Sequence, residues 1–200
     1  MIEQYLNQEV NKKIKERRVC DYLTTDPYPY AVIPNFLEDT FFNKIKNQCD
    51  DLLANLVPID GFDISHTYLN IPAMLSVFCN FYFMNLIRNI FNCDVQRKRD
   101  QYPSLRVLPE GGDGLHIHND HLYIGNITVF LYLSRWEERF GGEVGLYKKE
   151  GSIFTKISEV KPLANSLFMM PITDTTMYHS INATASGYLR KCAYIPISII

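Results

Sequence analysis

A succession of short β-type runs fills the second half of the chain, and this pattern most constrains the fold. Turn signals such as Gly111-Gly112, Gly141-Gly142 and Ser186-Gly187 separate several of the runs. The predicted strands cover residues 104–108, 114–118, 127–134, 143–148, 153–160, 166–170, 177–182 and 189–197. Strands that recur about every ten residues favour a sandwich or a barrel-like jelly roll. Pro196 restricts pairing in the last run, which predicts that this strand lies at a sheet edge.

Before residue 95, apolar residues recur at helical spacing instead. This spacing predicts an amphipathic helix at the start of the chain, a second helix that begins with Asp39 as its N-cap, and a third over 72–92. A short strand over 30–33 ends at Pro34. The expected fold class is therefore α+β, mainly β. We expect a single domain over 1–200, with helical support and one or two strands in 1–95 and a jelly-roll core in 96–200.

Composition and charge argue against several function classes. The formal net charge of −2 gives no support for binding nucleic acid. The most apolar stretch, 72–91, is interrupted by polar residues and is too polar to span a bilayer, and the N-terminus lacks the apolar core of a signal peptide. Five scattered cysteines without a CxxC pair are typical of thiols in a reducing compartment. These features predict a cytoplasmic protein without a nucleic-acid or membrane partner; they do not predict the oligomeric state.

The histidines carry the clearest chemical signal, because three of the five lie in one segment, 116–121. In an extended strand alternate side chains share a face, so His118 and Asp120 are expected to project the same way. His179 is the best candidate for a third ligand from elsewhere in the fold. Two imidazoles and one carboxylate form the facial triad that is associated with non-haem Fe(II) oxygenases.

A cation follows the third candidate ligand. Arg190 lies eleven residues after His179, on what should be the next antiparallel strand. Its planar guanidinium could bind the far carboxylate of an organic acid that chelates the metal. His116 shares the predicted face of His118, and a position near the metal, a position facing the substrate and a purely structural role all stay open for it. His66 and His121 are not expected to bind metal.

The segment from about 104 to 197 resembles the catalytic core of the 2-oxoglutarate/Fe(II)-dependent dioxygenases, particularly the prolyl-hydroxylase-like group. The motifs that carry the resemblance are, in order, His118-Asn119-Asp120, the run 129–134 with Trp136, Gly141-Gly142-Glu143-Val144, the run 160–170, and His179 with Arg190. The resemblance implies a double-stranded β-helix, the jelly roll of this family. It covers nearly half of the chain.

The resemblance also implies roles for individual residues. His118, Asp120 and His179 would bind Fe(II), Arg190 would pair with the C5 carboxylate of 2-oxoglutarate, and Tyr132 would either donate a second hydrogen bond to it or serve as a core aromatic. The implied reaction consumes 2-oxoglutarate and dioxygen and hydroxylates a C–H bond of a prolyl or other peptidyl residue. Succinate and CO₂ are the co-products, and ascorbate is an expected reductant.

Two alternatives and one departure from the family pattern accompany this interpretation. The same chemistry on a small metabolite, amino acid or saccharide stays open, as does a cupin-type metalloenzyme that does not use 2-oxoglutarate. Many relatives carry a tyrosine shortly before the turn that precedes HxD, whereas this chain reads Ser104-Leu105-Arg106-Val107-Leu108-Pro109. Tyr102 or Tyr123 is the expected replacement. Candidate lids are the segments 57–70, 96–103, which includes the basic run 97–99, and 136–140.

Overall fold

Thirteen strands form two antiparallel sheets in the part of the chain that the computed structural model describes, residues 2–61, 64–97 and 102–200. The strands are β1 (Leu23–Thr24), β2 (Tyr30–Ile33), β3 (Val57–Pro58), β4 (Ser65–Tyr68), β5 (Val95–Arg97), β6 (Ser104–Leu108), β7 (Leu115–His118), β8 (Asn126–Tyr132), β9 (Val144–Glu150), β10 (Ile153–Val160), β11 (Leu167–Ile172), β12 (Tyr178–Ile181) and β13 (Arg190–Ile199). The eight strands predicted after residue 104 are confirmed as β6–β13. The expectation of one or two strands before residue 95 is too low, because β1–β4 all precede it.

The sheets differ in size and share the jelly-roll strands between them. The major sheet has nine strands in the order β1-β2-β11-β8-β13-β6-β4-β3, with β5 paired to β13. The minor sheet has four strands in the order β10-β9-β12-β7. This is the mainly β, double-stranded β-helix architecture that the sequence predicts, and the fold class is confirmed.

Pro196 does not mark a sheet edge, so that prediction is wrong. β13 pairs with β8 along most of its length, and Pro196 lies opposite Thr128 in that register. On its other side β13 pairs with β6 up to Tyr194 and with β5 from Ile197 onward. The proline therefore occupies the point where β13 changes partner, a place where a missing N–H is tolerated inside a sheet.

The helices are α1 (Gln8–Lys15), α2 (Asp39–Asp50), α3 (Pro72–Phe78) and α4 (Phe81–Phe91). The N-cap of α2 is Glu38, whose carboxylate accepts the Phe41 N–H at 2.9 Å, so the prediction of Asp39 as the cap is wrong by one residue. The predicted helix over 72–92 is two helices. The Asn80 side chain accepts the Phe83 N–H at 3.0 Å and so caps the N-terminus of α4. Because Asn80 starts a new helix, α3 stops at Phe78.

The helices pack against the outer face of the major sheet. Buried residues of α2, α3 and α4 share one apolar cluster with alternate residues of β6, β8, β11 and β13, among them Leu105, Val129, Met169 and Ala193. A second apolar cluster lies between the two sheets. The helices therefore support the major sheet from outside and leave the space between the sheets for a cavity. In the described part of the chain, none of the helices is long and apolar enough to cross a membrane.

Candidate active site

A cavity of about 170 Å³ lies between the two sheets and is lined by residues of both. Most of its walls are apolar, including Val144, Phe168, Met170 and Ile181. The polar and charged residues that line it are Arg106, His118, Asp120, Tyr123, Asn126, Thr128, His179, Arg190 and Tyr194. An apolar cavity with a few converging polar groups is the usual form of a binding site.

The three predicted metal ligands converge on this cavity. One ligand atom from each of His118, Asp120 and His179 lies within 4.8 Å of the others. The Asp120 carboxylate oxygens lie 3.7 Å from His118 Nε2 and 3.5 Å from His179 Nε2. These are donor atoms of the types and number that a divalent transition metal takes in a facial triad.

A pairing between two strands and a turn of the chain bring the three ligands together. β7 ends at His118, and Asp120 begins the 3-10 turn His121–Tyr123 with φ −86° and ψ 45°. Asp120 therefore approaches His118 because the chain turns, and the expected alternation along a strand is wrong. His179 on β12 lies directly opposite His118 on β7, which places the two ring centroids 4.4 Å apart.

Backbone hydrogen bonds fix how the two imidazoles present their nitrogens. His118 Nδ1 lies 2.7 Å from the carbonyl oxygen of His116, and His179 Nδ1 lies 3.1 Å from that of Met177. A carbonyl oxygen only accepts hydrogen bonds, so each Nδ1 carries the proton and each Nε2 keeps its lone pair. Both lone pairs are thus available to a metal at the Asp120 side of the rings.

The electrostatics favour the ligating forms of two of these groups. Burial lowers the pKa of His118, and the neighbouring His179 lowers it further. Burial acts to raise the pKa of Asp120, but His179, His118 and Arg106 outweigh it, so that the pKa lies below its ordinary value. A neutral imidazole and an ionised carboxylate are the protonation states that bind a metal.

Arg190 lies at the inner wall of the cavity, almost fully buried. It begins β13, which is the next strand after the β12 of His179, as predicted. The two strands do not pair, however, because β13 belongs to the major sheet and β12 to the minor sheet. Arg190 Nε donates to the Gly142 carbonyl at 2.8 Å, and the Trp136 indole N–H donates to the Gly141 carbonyl at 2.8 Å. The Trp and Gly-Gly motifs thus form the turn that orients the guanidinium.

Three buried polar atoms around Arg190 find no hydrogen-bond partner among the described residues. They are Arg190 Nη2, the Tyr132 hydroxyl and the Tyr188 hydroxyl. The Arg190 guanidinium carbon lies 5.2 Å from the centre of the Tyr132 ring. Burial raises the pKa of Tyr132, and it raises that of Tyr188 to about 12, so both phenols stay protonated donors. Unpaired buried donors are costly unless a ligand satisfies them, and a carboxylate has the matching acceptors.

Other sequence candidates lie elsewhere. The His116 side chain is exposed and is outside the cavity lining and the ligand cluster. Tyr123 lines the cavity, whereas the exposed Tyr102 packs on Tyr68 at 6.3 Å between ring centroids. Of the candidate lids, 57–70 contributes Ile59 and Ile64 to the lining. Residues 62–63 of that segment and 98–101 of the second, including most of the basic run, lie outside the described residues.

Comparisons with known proteins agree with this site. Residues 103–195 match the family model of the 2OG-Fe(II) oxygenase superfamily. Together with the fold and the clustered ligands, this match, which covers slightly less than half of the chain, confirms the resemblance to the 2-oxoglutarate/Fe(II)-dependent oxygenases that the motifs indicate. Fe(II) and 2-oxoglutarate are the cofactor and co-substrate of this class, as expected.

Several solved structures share the fold of this chain. A prolyl-4-hydroxylase from Pseudomonas putida is 14% identical with a TM-score of 0.62, and the match covers 86% of this chain and 92% of that one. A Trichoplax adhaerens prolyl hydroxylase in complex with a hypoxia inducible factor peptide is 16% identical with a TM-score of 0.67, covering 94% and 92%. HygX from Streptomyces hygroscopicus with nickel and 2-oxoglutarate bound is 11% identical with a TM-score of 0.67, covering 96% and 87%. No curated protein matches the chain significantly.

Proposed function

We propose that this protein is an Fe(II)- and 2-oxoglutarate-dependent hydroxylase whose metal is held by His118, Asp120 and His179. The observation that carries the proposal is the meeting of these three ligands at one cavity with a buried, incompletely bonded arginine. When bound, Fe(II) with 2-oxoglutarate and dioxygen supplies an oxidant strong enough for an unactivated C–H bond, with succinate and CO₂ as co-products.

The chain's own residues hold and orient the reactants. The backbone carbonyls of His116 and Met177 keep Nε2 of both imidazoles free for the metal. Arg190 lines the cavity, and its unpartnered Nη2 would bind the C5 carboxylate of 2-oxoglutarate. Tyr132 lies behind Arg190, outside the cavity lining, and its unpartnered hydroxyl would join that bond. The apolar walls formed by residues such as Phe168 and Met170 would exclude water and hold the C–H bond near the metal.

Hydroxylation is a proposal, because structures of similar fold also include a 2-oxoglutarate-dependent epimerase and a carbocyclase. The complete carboxylate-containing triad and the prolyl hydroxylases among the similar structures support hydroxylation of a prolyl or other peptidyl residue, or of a small molecule. The cupin-type alternative loses support, since the family match and these similar structures are 2-oxoglutarate oxygenases.

An anaerobic optical titration tests the proposal. Wild-type protein is titrated with Fe(II) and then with 2-oxoglutarate, beside His179→Ala, Arg190→Ala and the exposed control Arg135→Ala, whose side chain is 88% accessible. We expect a metal-to-ligand charge-transfer band in wild type and control, no band without His179, and a much higher 2-oxoglutarate requirement without Arg190. Iron binding without a band at saturating 2-oxoglutarate would overturn the proposal. Once a substrate is found, a product heavier by one oxygen atom separates hydroxylation from epimerisation.

A further inference from the structure

A second arginine, Arg106, lines the same cavity. It lies on β6 directly opposite Cys192 of β13, and it shares the inward face of the major sheet with Arg190 and Tyr194. Its neighbours along that face of β6 are Ser104 and Leu108, so a charged residue interrupts an otherwise uncharged, mostly buried strand. Charged residues are rarely placed on such faces unless they are paired.

Arg106 has no such pair. No described residue forms a hydrogen bond or ion pair with its guanidinium, and its Nε is buried without an acceptor. What fixes the side chain is an aromatic face, because the guanidinium carbon lies 3.8 Å from the centre of the Tyr194 ring. Stacking of this kind holds the plane of the guanidinium while leaving its N–H donors free for a planar anion.

The cavity carries more positive than negative charge. The charged side chains that line it are Arg106, Arg190 and Asp120. In the loaded site Fe(II) and the 2-oxoglutarate dianion cancel each other, and Asp120 balances one of the two arginines. One positive charge therefore remains. Arg190 is the arginine that would pair with the C5 carboxylate of 2-oxoglutarate, whereas Arg106 forms no hydrogen bond or ion pair with a described residue, although it lies near enough to Asp120 to lower the pKa of that carboxyl. A low-dielectric cavity with one uncompensated cation favours a substrate that brings one negative charge.

We propose that Arg106, stacked on Tyr194, binds a carboxylate of the substrate and so selects carboxylate-bearing substrates over their neutral analogues. This inference rests on the proposed function, since it assumes that Fe(II) and 2-oxoglutarate occupy the rest of the cavity. The planar fork of the guanidinium matches a carboxylate in bidentate geometry. Such a group can come from a free amino acid or from the C-terminal end of a peptide; inside a peptide chain, only an Asp or Glu side chain provides it.

The test measures succinate release by the Fe(II)-loaded protein with 2-oxoglutarate and a panel of matched probes. The panel contains the common L-amino acids and short peptides with a free C-terminal carboxyl group, each beside its amide. We expect one or more acids to raise succinate release while the matching amides do not. Activity with free amino acids identifies a small-molecule substrate, and activity confined to peptides identifies a chain end.

Variants assign the selectivity to Arg106. Arg106→Gln should weaken binding of the active acid by about 10- to 100-fold, because charge-assisted hydrogen bonds are lost. Arg106→Lys should recover part of that loss, since it keeps the charge without the fork. Arg135→Gln removes an exposed arginine outside the cavity and serves as the matched control. Calorimetry on protein loaded with Zn(II) and 2-oxoglutarate measures the binding without turnover, and thermal melting verifies that each variant is folded.

Four outcomes would overturn the inference. If acids and amides raise succinate release equally, the site does not select a carboxylate. If none of the acids raises succinate release, carboxylate-bearing compounds of this panel are not substrates. If the folded Arg106→Gln variant binds the active acid as tightly as wild type, Arg106 does not bind the substrate carboxylate. A large loss of 2-oxoglutarate affinity in Arg106→Gln, measured by the charge-transfer band, would place Arg106 at the co-substrate instead. If wild type forms no band at all, it is the proposed function that fails, and the inference fails with it.

Discussion

Replacement of Gly142 by alanine is expected to weaken 2-oxoglutarate binding without changing any of the three proposed metal ligands. Gly142 has φ +79°, and an added Cβ would lie 2.8 Å from Arg190 Cδ, inside van der Waals contact. The Gly142 carbonyl also accepts the Arg190 Nε–H at 2.8 Å. The guanidinium must therefore move away from the position in which this turn holds it.

The size of the effect follows from what the displacement disrupts. The positive φ alone costs an alanine about 1–2 kcal/mol of stability. A hydrogen bond to a charged group contributes about 1.5–3 kcal/mol, so misplacing one of them raises the Kd for 2-oxoglutarate about 10-fold or more. The affinity for the metal should stay unchanged, because His118, Asp120 and His179 do not contact Gly142. Anaerobic titration of the Fe(II) protein, followed by the charge-transfer band, measures the Kd.

Gly187→Ala is the matched control. Its φ is +80°, and an added Cβ would meet nothing within 4 Å. Both variants should lose stability through backbone strain, as measured by thermal melting, but only Gly142→Ala should lose 2-oxoglutarate affinity. Equal Kd values in the two variants would refute the reasoning that the Gly-Gly turn positions Arg190.

Three further predictions concern buried polar groups. Tyr132→Phe removes an unpartnered buried hydroxyl. Without 2-oxoglutarate we expect the free energy of unfolding to rise by about 1 kcal/mol, and we expect the Kd for 2-oxoglutarate to rise several-fold. A loss of stability in chemical denaturation would contradict this prediction. Asn165→Ala removes two buried hydrogen bonds to the Leu37 backbone and strains φ +62°, which should cost about 3 kcal/mol in the same assay. Burial acts to raise the pKa of Asp50, but its bonds to Lys191 and Lys46 lower it below 3.8. Its contribution to stability is therefore present above about pH 4 and lost as pH falls through the lowered pKa, and denaturation measured against pH should show a smaller acid loss in Asp50→Asn.

The helical half was predictable in outline but not at its boundaries. Apolar spacing located the segments of α2, α3 and α4, because each helix buries one face. It did not locate the break at Asn80, where a side-chain cap competes with continuation of the helix. It also missed β3 and β4, which are too short and too exposed to leave a periodic signal.

Arg106 and Gly142 are the two residues of the proposed site to which motif reasoning gave no role. Arg106 carries a recognisable signal, a cation on a strand face whose neighbours are uncharged and mostly buried. That signal does not say which acceptor it meets, because no described residue supplies one. Gly142 was recognised only as part of a turn, since its contact with Arg190 joins residues 48 positions apart.

The sequence by itself determined what depends on neighbouring residues, namely the periodicity of the strands, the glycine turns and the identity of the ligand candidates. The tertiary structure alone decided that His179 pairs with His118, that Asp120 reaches them through a turn, and that Arg190 enters the cavity from the opposite sheet. Strand partners are chosen by how the whole apolar core is buried, and no local spacing encodes that free energy. The site forms only where the two sheets face each other, because its residues come from both of them.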